Sequence, residues 1–237
     1  MARDPIDHLA LLAATQDRFR ATIGEVDPTT RVPWCGRWRV RDVVVHLARI
    51  HHWAAGQARR RQETPLGRGP FDLDDLYRRC AAELLTTLQG LGPDAESWTL
   101  LGNGPASFWH RRQLHETLVH LWDVRAASGL AVDAEAAVWA DTVDEVVTVL
   151  QPRQARLGRM APLPAALHLA ATDTPDHWVL GPTDTTADRI AASGPARVLA
   201  LLLWGRLEPA DRAVTDVVTI EGDAGLFADV LGRRLTP

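Results

Sequence analysis

The sequence predicts an α-helical bundle over residues 1–150, followed by a small α+β domain over roughly 160–237. Three observations carry that expectation. Apolar residues recur at helical spacing in five segments before residue 150. Beyond a Pro- and Arg-containing stretch at 151–164, the texture changes to short apolar runs bounded by turn residues. The 237 residues exceed one typical domain and leave room for one large or two small ones.

Taken in order, Asp4-Pro5 reads as the opening of the first helix, with Asp as N-cap, Pro at the first helical position and Asp7 in the first turn. Leu9, Leu12, Phe19, Ile23 and Val26 then follow helical spacing, and Asp27-Pro28 ends the run. After the loop Pro33–Gly36, a second helix is expected over about Val40–Arg61, and a Gly/Pro loop over Gln62–Pro70. A third helix is expected over about Asp72–Leu88, and a connection over Gly90–Pro105. The fourth covers about Phe108–Ala127 and stops at Ser128-Gly129; the fifth covers about Ala134–Leu150. Past the linker, Leu167–Thr172 and Trp178–Leu180 read as strands around an Asp173–Asp176 turn, with a third strand at Thr186–Ala192. Pro195–Trp204 reads as a helix, Val217–Glu221 as a strand and Ala224–Leu231 as a short helix. No internal repeat is visible.

Composition narrows the function. Hydrophobic residues make up 46% and charged residues 24%, enough apolar material for a core and too much for a disordered chain. The net charge of −4 argues against a sequence-blind nucleic-acid binder. Every basic residue is arginine, so Schiff-base chemistry and a P-loop, which need a lysine amine, are excluded. No run approaches a membrane span, and the N-terminus lacks a signal-peptide core, so a cytoplasmic protein is expected. Cys35 and Cys80 read as reduced, buried thiols. Seven of nine His and seven of nine Trp precede residue 150, which directs the search for a site there.

The fourth helix holds His115, Glu116 and His120. Glu116 and His120 are four apart and share one face, a spacing at which two side chains can hold one metal. The segment is not HExxH, because Val119 stands where that motif needs His. A third ligand has to come from another helix. His46, inside Val43-Val44-Val45-His46-Leu47-Ala48, is one candidate; the alternative is a core histidine with an ordinary hydrogen bond. The Glu116/His120 pair likewise has the alternative of a solvated helical pair. Two His and one Glu leave open coordination positions, the mark of a catalytic zinc. Asp123 is placed to accept from a neighbouring imidazole, or from Arg49 or Arg112; the alternative is a solvated carboxylate. No G-x-S-x-G is present.

These segments carry a resemblance. Pro33-Trp34-Cys35-Gly36-Arg37-Trp38-Arg39-Val40-Arg41-Asp42-Val43-Val44-Val45-His46-Leu47 resembles the first signature of the mycothiol-dependent maleylpyruvate isomerase family, within the DinB-like metalloenzyme superfamily. His115-Glu116-Thr117-Leu118-Val119-His120, followed by Asp123, resembles the second. Leu201-Leu202-Leu203-Trp204-Gly205-Arg206 resembles an element of the family's C-terminal domain. The resemblance implies a DinB-like four-helix bundle followed by a sterol-carrier-like α+β domain. It implies a metal triad of His46, Glu116 and His120, zinc as the ion, mycothiol as cofactor and Arg206 as a catalytic arginine; the alternative for Arg206 is a helix-end surface residue. Two departures stand out. Arg39 occupies a place where the family usually has Ser or Thr, and it either meets an anionic ligand in the cleft or is solvated. His51-His52-Trp53 is rich in rings, and His52 or Trp53 is expected to shape a cofactor or substrate pocket.

The implied chemistry is thiol activation. A divalent ion on two imidazoles and a carboxylate keeps positive charge and favours a thiolate. That thiolate attacks a small electrophile: addition, bond rotation and departure give isomerisation, and retention gives transfer. Neither cysteine is placed to serve by helix spacing, so an external thiol is implied. The expected partners are that thiol and a small electrophile, with no nucleic acid and no membrane, in a monomer or homodimer. The site is expected to open toward the junction with the C-terminal domain. Two other classes remain open: a metal-dependent hydrolase or amidase using metal-bound water, and a non-catalytic metal- or ligand-binding protein.

Overall fold

A computed structural model describes residues 6–182 and 189–237. Asp4 and Pro5 and the start of the strand expected at Thr186 lie outside the described residues. The chain divides into two compact units, Met1–Val132 and Asp133–Pro237.

In the first unit, α1 spans His8–Glu25, α2 Val40–Ala58, α3 Leu73–Leu91 and α4 Ser107–Ala127. Asp7 is the N-cap of α1 rather than a first-turn residue, and its carboxylate accepts from the Ala10 N–H at 3.0 Å. Leu12, Gln16 and Phe19 make one buried face. α1 packs on α3 and α4, and α2 packs on α3 and α4, so the four helices share one core. Arg39 precedes α2, where it cannot accept a capping bond. Asp42 supplies the other half of a capping box and accepts from the Arg39 backbone N–H at 2.8 Å. Between α1 and α2 the chain folds back on itself through a bridge between Arg31 and Arg39 and a 3-10 turn at Pro33–Cys35. Gly36 closes that turn at φ 63, a left-handed conformation that suits glycine. This turn fixes Trp34, Cys35 and Trp38 beside α2 and α4.

α4 is buried on nearly every face, and the buried set includes His110, Arg112, Gln113, His115, His120 and Asp123. A central helix that buries so many polar groups must supply each with a partner. The connection expected at Gly90–Pro105 contains a hairpin, with β1 at Glu96–Thr99 antiparallel to β2 at Gly102–Pro105. Strands of four residues, the second of them Gly-Asn-Gly-Pro, carry too little alternation to be read from sequence.

In the second unit, α5 spans Ala136–Glu145, a π turn Val146–Leu150 and α6 Gln151–Arg156. The helix expected over 134–150 therefore lies in this unit, outside the four-helix core. The linker expected from Gln151 begins only after Arg156. Pro152 sits in the first turn of α6, where a missing N–H does no harm, and the π turn before it resets the hydrogen-bond register. A four-stranded sheet has the order β4-β3-β5-β6, where β3 is Ala166–Ala171, β4 His177–Leu180, β5 Arg189–Gly194 and β6 Thr219–Glu221. β3 and β5 are parallel; the outer pairs are antiparallel. The apolar helix α7, Ala196–Leu203, packs on α5 and β3. Asp173 accepts from the Ala196 N–H at 2.9 Å. The short helix α8, Arg212–Thr215, has no counterpart in the sequence reading, while α9 spans Ala224–Leu231 as expected. Among the described residues, no helix is long and apolar enough to cross a membrane.

Candidate metal centre

α4 presents Glu116 and His120 one turn apart, facing His46 on α2. The Nε2 atoms of His46 and His120 lie 3.4 and 3.3 Å from one oxygen, Oε1 of Glu116. The two rings meet edge to face with centroids 5.0 Å apart. One ligand atom from each residue falls within 4.8 Å of the other two. Ligand atoms at about 2.0–2.1 Å from a tetrahedral ion stand about 3.3 Å apart. The donor set and its spacing therefore fit a divalent ion such as zinc.

Neighbouring side chains hold each ligand in one orientation. Asp123 is fully buried. Its Oδ2 accepts from His120 Nδ1 at 2.8 Å, and its Oδ1 accepts from Trp34 Nε1 at 2.5 Å. Cys35 donates to Oδ2 at 3.6 Å. A proton on Nδ1 leaves Nε2 as the ligand atom of His120. Burial opposes charge on His120, but Asp123 and Glu116 outweigh it and push its pKa up to about 9. A metal held at Nε2 would displace that proton. Glu116 receives the guanidinium of Arg112 on Oε2. Burial again opposes ionisation, yet Arg112, His120 and His46 hold the carboxyl well below the usual range. Trp38 packs on the His46 ring with centroids 4.9 Å apart.

A cavity of about 870 Å³ opens at His46. Arg37, Arg41, Arg49 and Arg68 line it with Trp38 and Phe71. The one carboxylate in the lining is Asp42, whose Oδ1 stands 3.9 Å from Arg41 Nε. Arg49 donates to the Gly67 carbonyl at 2.8 Å and lies over the Phe71 ring. Among the described residues, neither Arg37 nor Arg68 has a carboxylate partner. The wall is thus cationic and aromatic.

Arg39, His52 and Trp53, also singled out from the sequence, are engaged by groups other than the triad. Arg39 turns its guanidinium to the Thr29 carbonyl. His52 and Trp53 line a neighbouring cavity of about 540 Å³, which shares Arg49 and Arg68 with the first. Both ring nitrogens of His52 are engaged, Nδ1 with Glu83 Oε2 at 2.5 Å and Nε2 with the Thr64 carbonyl at 2.7 Å. Burial opposes its protonation, but Glu83 and Thr64 raise its pKa. Trp53 stacks edge to face on Trp109. Arg206 lies in the second unit, where it donates to the Trp204 carbonyl at 2.7 Å and covers the Trp204 ring.

Sequence reasoning missed the arginine lining and the contacts of Trp34 and Cys35 with Asp123. Of the partners it offered Asp123, a neighbouring imidazole or else Arg49 or Arg112, the structure shows the imidazole of His120, while Arg112 reaches Glu116 and Arg49 reaches Gly67. Two signals were available: Arg112 and Glu116 are four apart on α4, and Arg41, Val45 and Arg49 repeat every fourth residue on α2. The turn that brings residues 34 and 35 to α4, 89 and 88 positions away, leaves no such signal.

Residues 9–125 match the family model described as the mycothiol maleylpyruvate isomerase N-terminal domain. No curated protein matches the chain. Two crystal structures of mycothiol-dependent maleylpyruvate isomerase match it, one of them of a histidine-to-alanine variant. The TM-scores are 0.65 for the former and 0.66 for the variant, each at 16% identity and covering 91% of this chain and 92% of that chain. At that identity the likeness is one of fold, and it extends over both units.

Proposed function

Residues 9–125 belong to the mycothiol maleylpyruvate isomerase N-terminal domain family, and from that premise we propose that the chain is a metal-dependent isomerase or transferase that uses a low-molecular-weight thiol, mycothiol, on a small electrophile. In this reading α1–α4 are a DinB-like four-helix bundle and the second unit is sterol-carrier-like. The observation that carries the proposal is the convergence of His46, Glu116 and His120 on one point, with His46 also lining a cavity.

A divalent ion at that point would supply the charge that favours the ionised form of a thiol, whose ordinary pKa is about 8.5. The protein's own groups do the rest. His120 is held by Asp123 with Nε2 toward the point of convergence, and Glu116 directs Oε1 to it. The arginines of the cavity attract an anionic substrate, and Trp38 and Phe71 give its unsaturated part an apolar wall. The protein's cysteines do not replace an external thiol. Burial pushes the Cys80 thiol up to about 11, and Cys35 donates to Asp123. Arg206 stays in the proposal as an activity-related arginine of the second unit, on the strength of its Leu-Trp-Gly-Arg setting. His52 and Trp53 stay as walls of the adjoining cavity, which has room for part of the thiol.

The test is elemental analysis of the purified chain, followed by a maleylpyruvate isomerisation assay with and without mycothiol. The expected result is about one zinc per chain and turnover that requires both metal and thiol. Turnover at full rate without any small thiol would overturn the reading in favour of hydrolysis, and a protein that binds no metal would point to a non-catalytic role.

A further inference from the structure

We propose that Arg112 is a positioning residue that restricts Glu116 to a one-oxygen ligand and so keeps a place on the ion open for the thiol. The inference rests on the metal reading above. Arg112 sits one turn before Glu116 on α4, and its side chain is only 5% exposed. A guanidinium at that depth is not a solvated helical partner, whose pairing would be weak. It needs a carboxylate, and it takes Oε2 of Glu116. The other oxygen, Oε1, is the one that both His46 Nε2 and His120 Nε2 approach, at 3.4 and 3.3 Å. The two oxygens of one carboxylate thus have different employments, one toward the metal point and one toward Arg112.

Two consequences follow from this division. A carboxylate can hold a cation with one oxygen or with both. With Oε2 occupied, Glu116 fills one position and not two. Arg112 also offsets the charge of Glu116, so an ion held there would attract an incoming anion more strongly. Both effects favour an exogenous anionic ligand such as a thiolate. Neither depends on a group that titrates near neutrality.

Cobalt(II) replaces zinc as a visible probe, and β-mercaptoethanol serves as the thiol. In Arg112→Met, which keeps an unbranched stem and loses the charge, Glu116 turns both oxygens to the ion. The d–d absorption then weakens as coordination number rises, and the thiol-to-cobalt charge-transfer band requires about tenfold more thiol. Arg112→Lys, which restores a donor and the charge, returns both readouts toward wild type. An Arg112→Met spectrum and thiol titration identical to wild type would overturn the proposal. X-ray absorption on the wild-type cobalt protein decides the matter even where the Met variant does not fold: a two-oxygen carboxylate there also overturns it. Wild-type protein that takes up no cobalt defeats the metal reading itself, and that result is distinct from the failure of Arg112 alone.

Discussion

Replacing Asp123 by Asn separates the role of this buried carboxylate from mere packing, because the two side chains have nearly the same shape. Asp123 uses both oxygens as acceptors, Oδ2 for His120 Nδ1 at 2.8 Å and Oδ1 for Trp34 Nε1 at 2.5 Å. An asparagine has one acceptor oxygen and one NH2 donor. If its oxygen stays with His120, the NH2 faces the Trp34 N–H and that bond is lost. If it stays with Trp34, His120 loses the acceptor that holds its proton on Nδ1. Either way one buried N–H is left unpaired, at a cost of about 1–3 kcal/mol. Loss of the partner behind a metal-ligating imidazole typically weakens metal binding about 10–100-fold, or about 1.4–2.7 kcal/mol. The assay is competitive zinc titration against a chromophoric chelator, with thermal unfolding of the zinc-free protein as a control. A folded Asp123→Asn protein whose zinc affinity stays within about twofold of wild type, well short of that range, would refute the reasoning.

Three further outcomes are expected. His46→Ala, Glu116→Ala and His120→Ala should each reduce zinc from about one ion per chain to a trace by elemental analysis, while His52→Ala should leave zinc content unchanged. His51 is fully buried, burial lowers its pKa from 6.5 to about 4, and Gln113 accounts for its Nδ1. The unfolded chain therefore binds the extra proton first, so this contribution is intact above pH 6.5 and is lost as pH falls toward 4. The loss is about 3 kcal/mol, read by urea unfolding across that window, and a His51→Leu variant whose stability falls just as steeply would contradict it. Arg41→Ala and Arg68→Ala should raise KM for an anionic substrate severalfold with kcat and zinc content little changed, and should leave a neutral substrate unaffected. An equal effect on both substrates would remove the electrostatic role assigned to the cavity lining.

The order of helices and strands was legible because it rests on local signals. Helical spacing of apolar residues and Gly129 behind a helix act within a few residues. Misreadings fell where local signals are weak or contradicted. The hairpin at 96–105 is too short for alternation to show, and Pro152 looked like a helix stop until the π turn before it gave the chain a place to accommodate it. The boundary at Val132 was not legible, since α5 has the same periodicity as the helices before it and only its packing on α7 places it in the second unit.

The site divides along the same line. Spacing along the chain is enough to put Glu116 and His120 on one helix face, because four residues make about one turn whatever the surroundings. The sequence also supplied His46 in an apolar run, and the family resemblance joined the three. Which oxygen of Glu116 the histidines approach, that Arg112 takes the other, and that Trp34 and Cys35 close around Asp123 are settled by packing in three dimensions. Those choices concern burial. A buried charge or N–H must find a partner, and which partner it finds depends on chain segments far away in sequence being folded to within hydrogen-bonding distance.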